Sequence, residues 1–281
     1  MTARTTPAPL DASMRQLAAF ALFPVAGAAL VILAAQFAPP SSLTLFFHLE
    51  AAVVEALACI GSALAARAFA RDDYLRGAWV YQAVCFLFIF LSDLTRFPGF
   101  PQATAIDISR GVLSLIGNGS AIVSSFRFGR AWSEADLPDA TRTRRRAYVA
   151  TAIVALAVAG GPLVHDMRAF FAGYIEALTN VASELGDIGS LCMLAPVLPT
   201  AIALRGGTLA WPWSLLAASL FAWLAFDGAV NYAGGAHVDD VTKRMLVEVF
   251  RSLGCTLTLT AGLAQRHVLR LTQRTLTPPA Y

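Results

Sequence analysis

Charged residues are scarce in this chain. Asp, Glu, Lys and Arg together make up 14% of its 281 residues, whereas hydrophobic residues make up 57%. The mean hydropathy is +0.62. This composition excludes an ordinary soluble domain, which needs a far more charged surface. The apolar residues also form blocks that are long enough to cross a bilayer. The sequence therefore predicts an all-α, polytopic membrane protein, with the lipid bilayer as its first partner.

Several chemical signatures are missing as well. The four cysteines all lie within apolar blocks and none has CxxC spacing, which favours buried thiols over disulfides or metal ligands. No nucleophile elbow and no HExxH motif is present. The single lysine, Lys243, is predicted to lie in an outer loop, which disfavours a retinal-type receptor. No motif identifies a cofactor.

Eight apolar blocks are candidates for membrane spans. They cover residues 15–37, 43–68, 77–97, 108–127, 147–165, 169–203, 208–233 and 245–265. The sixth block is longer than one span requires. We expect it to be tilted, to kink near Pro196 and Pro199, or to start with a turn at the interface.

Basic residues predict the orientation of the chain. With the N-terminus in the cytoplasm, fifteen Lys and Arg residues fall on the cytoplasmic side and six on the other, as the positive-inside rule requires. The run from Arg142 to Arg146 precedes the fifth span and fits a topology anchor better than a nucleic-acid-binding patch. The strong preference for arginine over lysine indicates a GC-rich bacterial genome. We therefore expect a bacterial inner membrane protein with both termini in the cytoplasm and no nucleic-acid partner.

Three short matches indicate an internal duplication. They come in the same order, at offsets of 128, 134 and 141 residues: Ile60-Gly61-Ser62 with Ile188-Gly189-Ser190, Trp79 and Asp93 with Trp213 and Asp227, and Asp107-x-x-Arg110 with Glu248-x-x-Arg251. A unit of four spans returns the chain to its starting side. The two copies should therefore have the same orientation, related by an axis along the membrane normal.

The duplication predicts five regions along the chain. These are a cytoplasmic tail at 1–14, a first four-helix repeat at 15–130, a charged cytoplasmic linker at 131–146, a second four-helix repeat at 147–266 and a second cytoplasmic tail at 267–281.

Both predicted repeats carry acids inside their spans. By this topology nine carboxylates lie in the outer half of the membrane: Glu50, Glu55, Asp93, Asp107, Glu176, Glu184, Asp187, Asp227 and Glu248. A charge near the bilayer centre costs roughly 2.5–3.5 kcal/mol even on the most lenient scale. Such groups must therefore face one another, backbone groups or water rather than lipid. We expect a polar cavity between the two repeats, open to the outer side.

Helical spacing ranks the candidate residues. Glu55, Glu184 and Asp187 are the leading candidates for binding a substrate or an ion. Further candidates on the same walls are His48, Glu50, Asp93, Glu176 and Asp227. The pairs Asp107–Arg110 and Glu248–Arg251 place acid and base one turn apart, as structural ion pairs or as ligand contacts. For His48 a hydrogen-bonded interior role, a proton relay and a metal ligand all stay open.

Three function classes fit these features. The first is a transporter or permease for a small cationic or polar solute, coupled to protons through its intramembrane carboxylates. The second is a membrane-embedded enzyme that uses such carboxylates on a lipid, polyprenyl or protein substrate. The third is a ligand-sensing module that signals to a separate partner chain. Assembly as a homo-oligomer stays open in all three, and the first class is the leading hypothesis.

Overall fold

The computed structural model describes residues 9–101, 103–134, 140–203, 207–235 and 239–276. Within these ranges the chain is helical and contains no strand, so the predicted all-α class is confirmed. The helices there are α1 (Pro9–Phe37), α2 (Pro40–Ala68), α3 (Tyr74–Leu94), α4 (Thr104–Glu134), α5 (Ala140–Phe171), α6 (Ala177–Leu194), α7 (Val197–Ala203), α8 (Ala210–Gly235) and α9 (Asp240–Leu276).

Six of these helices are long and apolar enough to cross a membrane. They are α1, α2, α3, α5, α8 and α9. The chain is thus a helical, multi-pass membrane protein. The two other predicted spans correspond to α4, with 31 residues, and α6, with 18 residues. Both are helical, but they do not meet the same standard of apolar length and composition.

The long sixth block is divided by a glycine turn and a proline break. α5 continues to Phe171, and a turn follows in which Gly173 has a φ of +98°, a conformation that favours glycine. α6 then ends at Leu194, and α7 begins just after Pro196, which has no N–H to continue the helical hydrogen bonds. A turn at the start and a break near Pro196 are both present.

Two other helix boundaries differ from those predicted from the sequence. α9 begins at Asp240, after Asp239 accepts a hydrogen bond from the Thr242 N–H at 2.9 Å, so Lys243 lies in a helical turn rather than a loop. The region predicted as a charged linker is largely helical, because α4 extends to Glu134 and α5 begins at Ala140. Of the predicted linker and tails, residues 135–139, 1–8 and 277–281 lie outside the described part of the chain.

Six helices form a closed ring. Around it, α2 contacts α3, α3 contacts α4, α4 contacts α6, α6 contacts α8, α8 contacts α9, and α9 returns to α2. The α6–α8 contact is much the smallest of these. Outside the ring, α1 packs mainly on α9, and α5 packs mainly on α6 and to a lesser extent on α8. We call the end at which α3, α5 and α8 end the mouth end, and the opposite end the base end.

The base end of the ring is solid. Phe128 of α4 is fully buried and packs edge to face on Trp79 of α3 and Trp213 of α8, with ring centroids 5.2 and 5.4 Å apart. Trp132 adds a further edge-to-face contact with Trp213 at 5.0 Å. Buried Leu, Ala and Val side chains surround these rings in one hydrophobic core. Aromatic rings and aliphatic side chains therefore fill the space between α3, α4 and α8 in the base half.

Glycines bring α2 and α9 into close contact. A Cβ on Gly61 would lie 2.6 Å from the Cα of Leu259, and a Cβ on Gly262 would overlap the carbonyl oxygen of Gly61. In both cases the obstacle is backbone, which cannot rotate away. Small residues at such crossings allow helices to approach closely enough for extended van der Waals contact.

We expect Gly262→Ala to destabilise the protein by roughly 1–3 kcal/mol, because the added methyl group forces α2 and α9 apart. Gly119→Ala is the matched control, since a Cβ there meets nothing within 4 Å and alanine has the higher helix propensity. Thermal unfolding in one detergent should show a lower Tm for Gly262→Ala alone. Equal Tm changes in the two variants would contradict the packing described.

Candidate functional site

A cavity of about 730 Å³ occupies the mouth half of the ring. Side chains from all six ring helices and from α5 line it. The lining extends from Asp240 and Asn231 at the mouth end down to Ser190 and Gln82, above the aromatic core. A polar hollow thus lies directly on top of a solid apolar base.

Most of the acids singled out in the sequence line this cavity. The lining includes His48, Glu55, Asp93, Glu184, Asp187, Asp227, Glu248 and Arg251. Glu50 is buried but is not part of the lining. Glu176 is exposed just before α6 begins and lines a second cavity at the mouth, together with Arg110. Asp107 lines neither cavity and pairs with Arg110 on its own helix.

Arg251 is the centre of the charged network on one wall. Its Nη1 lies 2.6 Å from Oδ2 of Asp93 and 3.8 Å from Oε1 of Glu55, and its Nε lies 3.3 Å from Oε2 of Glu248. Its guanidinium also lies over the ring of Phe226, 5.2 Å from the centroid. Arg251 of α9 therefore links α9 to α3, α2 and α8 at once.

Two further arginines complete this network. Arg96 lies 3.4 Å from Asp93, and Arg244 lies 3.8 Å from Glu248. We call the set of Glu55, Asp93, Arg96, Arg244, Glu248 and Arg251 the arginine cluster. It contains three carboxyl groups and three guanidinium groups.

His48 is engaged by the arginine cluster. Its Nε2 lies 3.3 Å from Nη2 of Arg244, and a guanidinium can only donate, so Nε2 is the acceptor in this contact. Among the described residues, no group of three His, Cys, Asp or Glu side chains is arranged to hold a metal ion. His48 therefore accepts a hydrogen bond from Arg244 while lining the cavity.

The opposite wall carries acids without bases. Glu184 and Asp187 of α6 and Asp227 of α8 form what we call the acidic triad. Asp187 and Asp227 line the same cavity from two neighbouring helices of the ring. Ser183 donates to Oδ1 of Asp227 at 3.5 Å. Within the described ranges, no Lys, Arg or His lies at ion-pair distance from the triad.

One oxygen of each triad carboxyl group has no hydrogen-bond partner among the described residues. These atoms are Oε2 of Glu184, Oδ2 of Asp187 and Oδ2 of Asp227. The residues Glu184 and Asp227 are each only 5% exposed, and both line the cavity. Both oxygens of Glu55 and Oε2 of Glu248, in the arginine cluster, also lack a hydrogen-bond partner, so the triad differs from that cluster in having no base at ion-pair distance among the described residues.

Arg110 and Arg251, which occur in the same acid-x-x-Arg pattern, have different partners. The sequence matches Arg110 to Arg251, but Arg110 donates to Asp107 at 2.8 Å and to the Thr95 hydroxyl at 3.0 Å. It stays at the mouth end and does not line the central cavity. Asp93 has an arginine of another helix at ion-pair distance, whereas Asp227 has none among the residues that the structure describes.

Polar and aromatic residues that the sequence analysis did not select complete the lining. Asn118 of α4 donates to the Ser114 carbonyl at 3.0 Å and lies against Gly186 of α6, where a Cβ would overlap its side chain. Phe86 and Trp223 form an apolar wall, with ring centroids 6.2 Å apart. Aromatic residues are common in any span, so they carry no distinguishing signal in the sequence.

Neither the family models nor the curated proteins nor the solved structures compared with this chain give a match.

We expect Arg251→Met to destabilise the protein by roughly 3–5 kcal/mol, because Asp93, Glu55 and Glu248 then lose their shared cation in a buried setting. Arg110→Met, which breaks a pair at the mouth, should cost less. Adding Asp93→Asn to Arg251→Met should recover part of the loss, as a double-mutant cycle measures. Equal losses for the two arginines, or no recovery in the double variant, would contradict the role given to Arg251.

Proposed function

We propose that the chain is a proton-coupled transporter for a small cationic solute, with its binding cavity open at the mouth end. The observation that carries this proposal is the acidic triad, in which three carboxyl groups face a hollow without a basic partner among the described residues. A set of buried acids without a base is stable only if protons or a bound cation neutralise it. Exchange of one for the other is the chemistry of a cation–proton antiporter.

The proposed topology has eight spans. α4 and α6 complete the ring between more apolar helices, so their polar faces can be buried in protein rather than exposed to lipid. The base end carries most of the arginines, including Arg67, Arg127 and Arg266, which favours placing that end in the cytoplasm. On this proposal the protein lies in a bacterial inner membrane with both termini inside and the mouth facing outward.

Equivalent contacts support the proposed duplication. Gly61 of α2 packs on α9, and its match Gly189 of α6 packs on Ile122 of α4. The ring follows the same order in both halves, since α2, α3 and α4 match α6, α8 and α9. The two halves would then enclose the cavity about an axis along the membrane normal.

Alternating access requires the base to open when the mouth closes. The helices would separate most easily where α6 contacts α8, because that contact is small. The break at Pro196, between α6 and α7, is a second place where the backbone could bend. The stacked rings of Trp79, Phe128 and Trp213 would form the inner barrier in the outward-open state.

Two other functions have one observation each in their favour. The solid base suits a ligand-sensing module, which needs a pocket closed at one end and a separate partner chain. The three carboxyl groups that line one hollow suit a membrane-embedded enzyme, because neighbouring carboxyl groups serve general acid–base chemistry. Neither alternative requires exchange of ions across the membrane.

Proton exchange in vesicles tests the proposal. In proteoliposomes with an acidic interior and an internal pH dye, external sodium, guanidinium or tetramethylammonium salts are added in turn, and each rate is compared with that in protein-free liposomes. We expect at least one of these cations to collapse the pH gradient, and we expect Asp187→Asn and Glu184→Gln to reduce that rate at least tenfold. Glu50→Gln is the control, because it removes a buried carboxylate that does not line the cavity.

Binding of a cation without any change in internal pH would contradict transport and favour the sensing module. An equal loss of exchange in Glu50→Gln would show that the effect comes from removing any buried acid rather than from the cavity.

A further inference from the structure

The acidic triad and an aromatic wall lie side by side in the cavity. Trp223 and Asp227 are four residues apart on α8, which places them one turn apart on the same face, and both line the hollow. The indole is held in place by Phe86 at 6.2 Å and Phe226 at 5.5 Å between ring centroids. A Cβ on Gly254 of α9 would lie 2.8 Å from Nε1 of Trp223, so this glycine leaves room for the ring.

The unsatisfied oxygens of the triad require hydrogen-bond donors. Glu184, Asp187 and Asp227 each direct one unpartnered oxygen to a buried position beside the cavity. Their arrangement is not one that holds a metal ion among the described residues. A primary ammonium group offers three N–H donors together with a positive charge, and it therefore satisfies both the hydrogen-bonding and the charge requirement of the triad.

The size of the cavity requires more than an ammonium group. At about 730 Å³ it falls in the range of pockets that bury an organic molecule, which is roughly 300–1,000 Å³. Its apolar lining includes Phe86, Ile89, Leu220 and Trp223, the last of which lies one helical turn from Asp227. An apolar substituent on the ammonium would bury its surface there, and the face of Trp223 is also the best aromatic surface for a nearby cation.

The wall that carries the arginine cluster does not compete with the acidic triad for the cation. Asp93 is already 2.6 Å from Arg251, and the ring of Phe226 already lies under the same guanidinium. A second cation on that wall would meet three arginines at close range, which disfavours its binding. The charge distribution thus directs a cation toward α6 and α8.

We propose that the cavity binds an organic ammonium ion with an aromatic or alkyl substituent, with the ammonium on the acidic triad and the substituent against Trp223. This inference rests on the proposed function, and it names the substrate class of the same site.

Binding measurements with matched small molecules test it. For the purified protein, we expect phenethylammonium to bind at least tenfold more tightly than ethylammonium, which lacks the ring, and than 2-phenylethanol, which lacks the charge. Isothermal titration calorimetry measures all three. Asp227→Asn should weaken phenethylammonium at least tenfold, whereas Trp223→Leu should weaken phenethylammonium and leave the affinity for ethylammonium unchanged.

Two variants guard against effects on folding. Trp211→Leu alters a tryptophan of α8 that does not line the cavity and should leave phenethylammonium binding unchanged. Trp223→Phe keeps an aromatic surface and should retain more binding than Trp223→Leu. Equal binding of 2-phenylethanol, or equal weakening of ethylammonium by Trp223→Leu, would overturn the assignment.

The outcome separates this inference from the transport proposal. If phenethylammonium binds as described but the pH gradient collapses no faster in proteoliposomes than in protein-free liposomes for any cation, transport is wrong and the ammonium site stands. If only sodium or guanidinium collapses the gradient and phenethylammonium does not bind, transport stands and the organic ammonium site is wrong.

Discussion

A carboxylate inside a bilayer must be neutralised by a cation, by a proton or by water, and the interior of this protein is organised around that constraint. The arginine cluster meets it within the protein. Arg251 lies at ion-pair distance from Asp93, Glu55 and Glu248, and Arg96 and Arg244 lie at ion-pair distance from Asp93 and Glu248. The acidic triad has no such arginine among the described residues. A cation that enters the cavity is therefore attracted to the wall formed by the acidic triad rather than to the wall formed by the arginine cluster.

The helices of the ring are tightly packed at the base end and less tightly packed around the cavity at the mouth end. At the base end, tryptophan and phenylalanine rings fill the space between α3, α4 and α8, and glycines hold α2 against α9 through backbone contact. At the mouth end the same helices diverge around the cavity, and α6 contacts α8 only slightly. The acidic triad lies on these two loosely joined helices. A bound cation that links α6 to α8 would therefore change the energy of the least constrained contact in the ring.

The helical membrane class followed from composition alone, and the break near Pro196 followed from proline chemistry. Helical periodicity also explains why Glu55 lines the cavity and Glu50 does not, since five residues turn a helix by about 140°. Other features have no signal in the sequence. Glu176 shares the spacing of Asn180 and Glu184, but α6 begins only after it, because the chain turns at Gly173. The different partners of Arg110 and Arg251 could not be predicted, since both occur in the same acid-x-x-Arg pattern and only tertiary packing distinguishes them.

The central claim is that the acidic triad holds a proton which a cation replaces. Infrared difference spectroscopy on the purified protein, recorded before and after addition of phenethylammonium, measures this replacement directly. The account predicts that a protonated carboxyl band disappears on addition of the cation, and that the same change is absent in Asp187→Asn. A spectrum with no carboxyl change, or with the same change in Asp187→Asn, would contradict it.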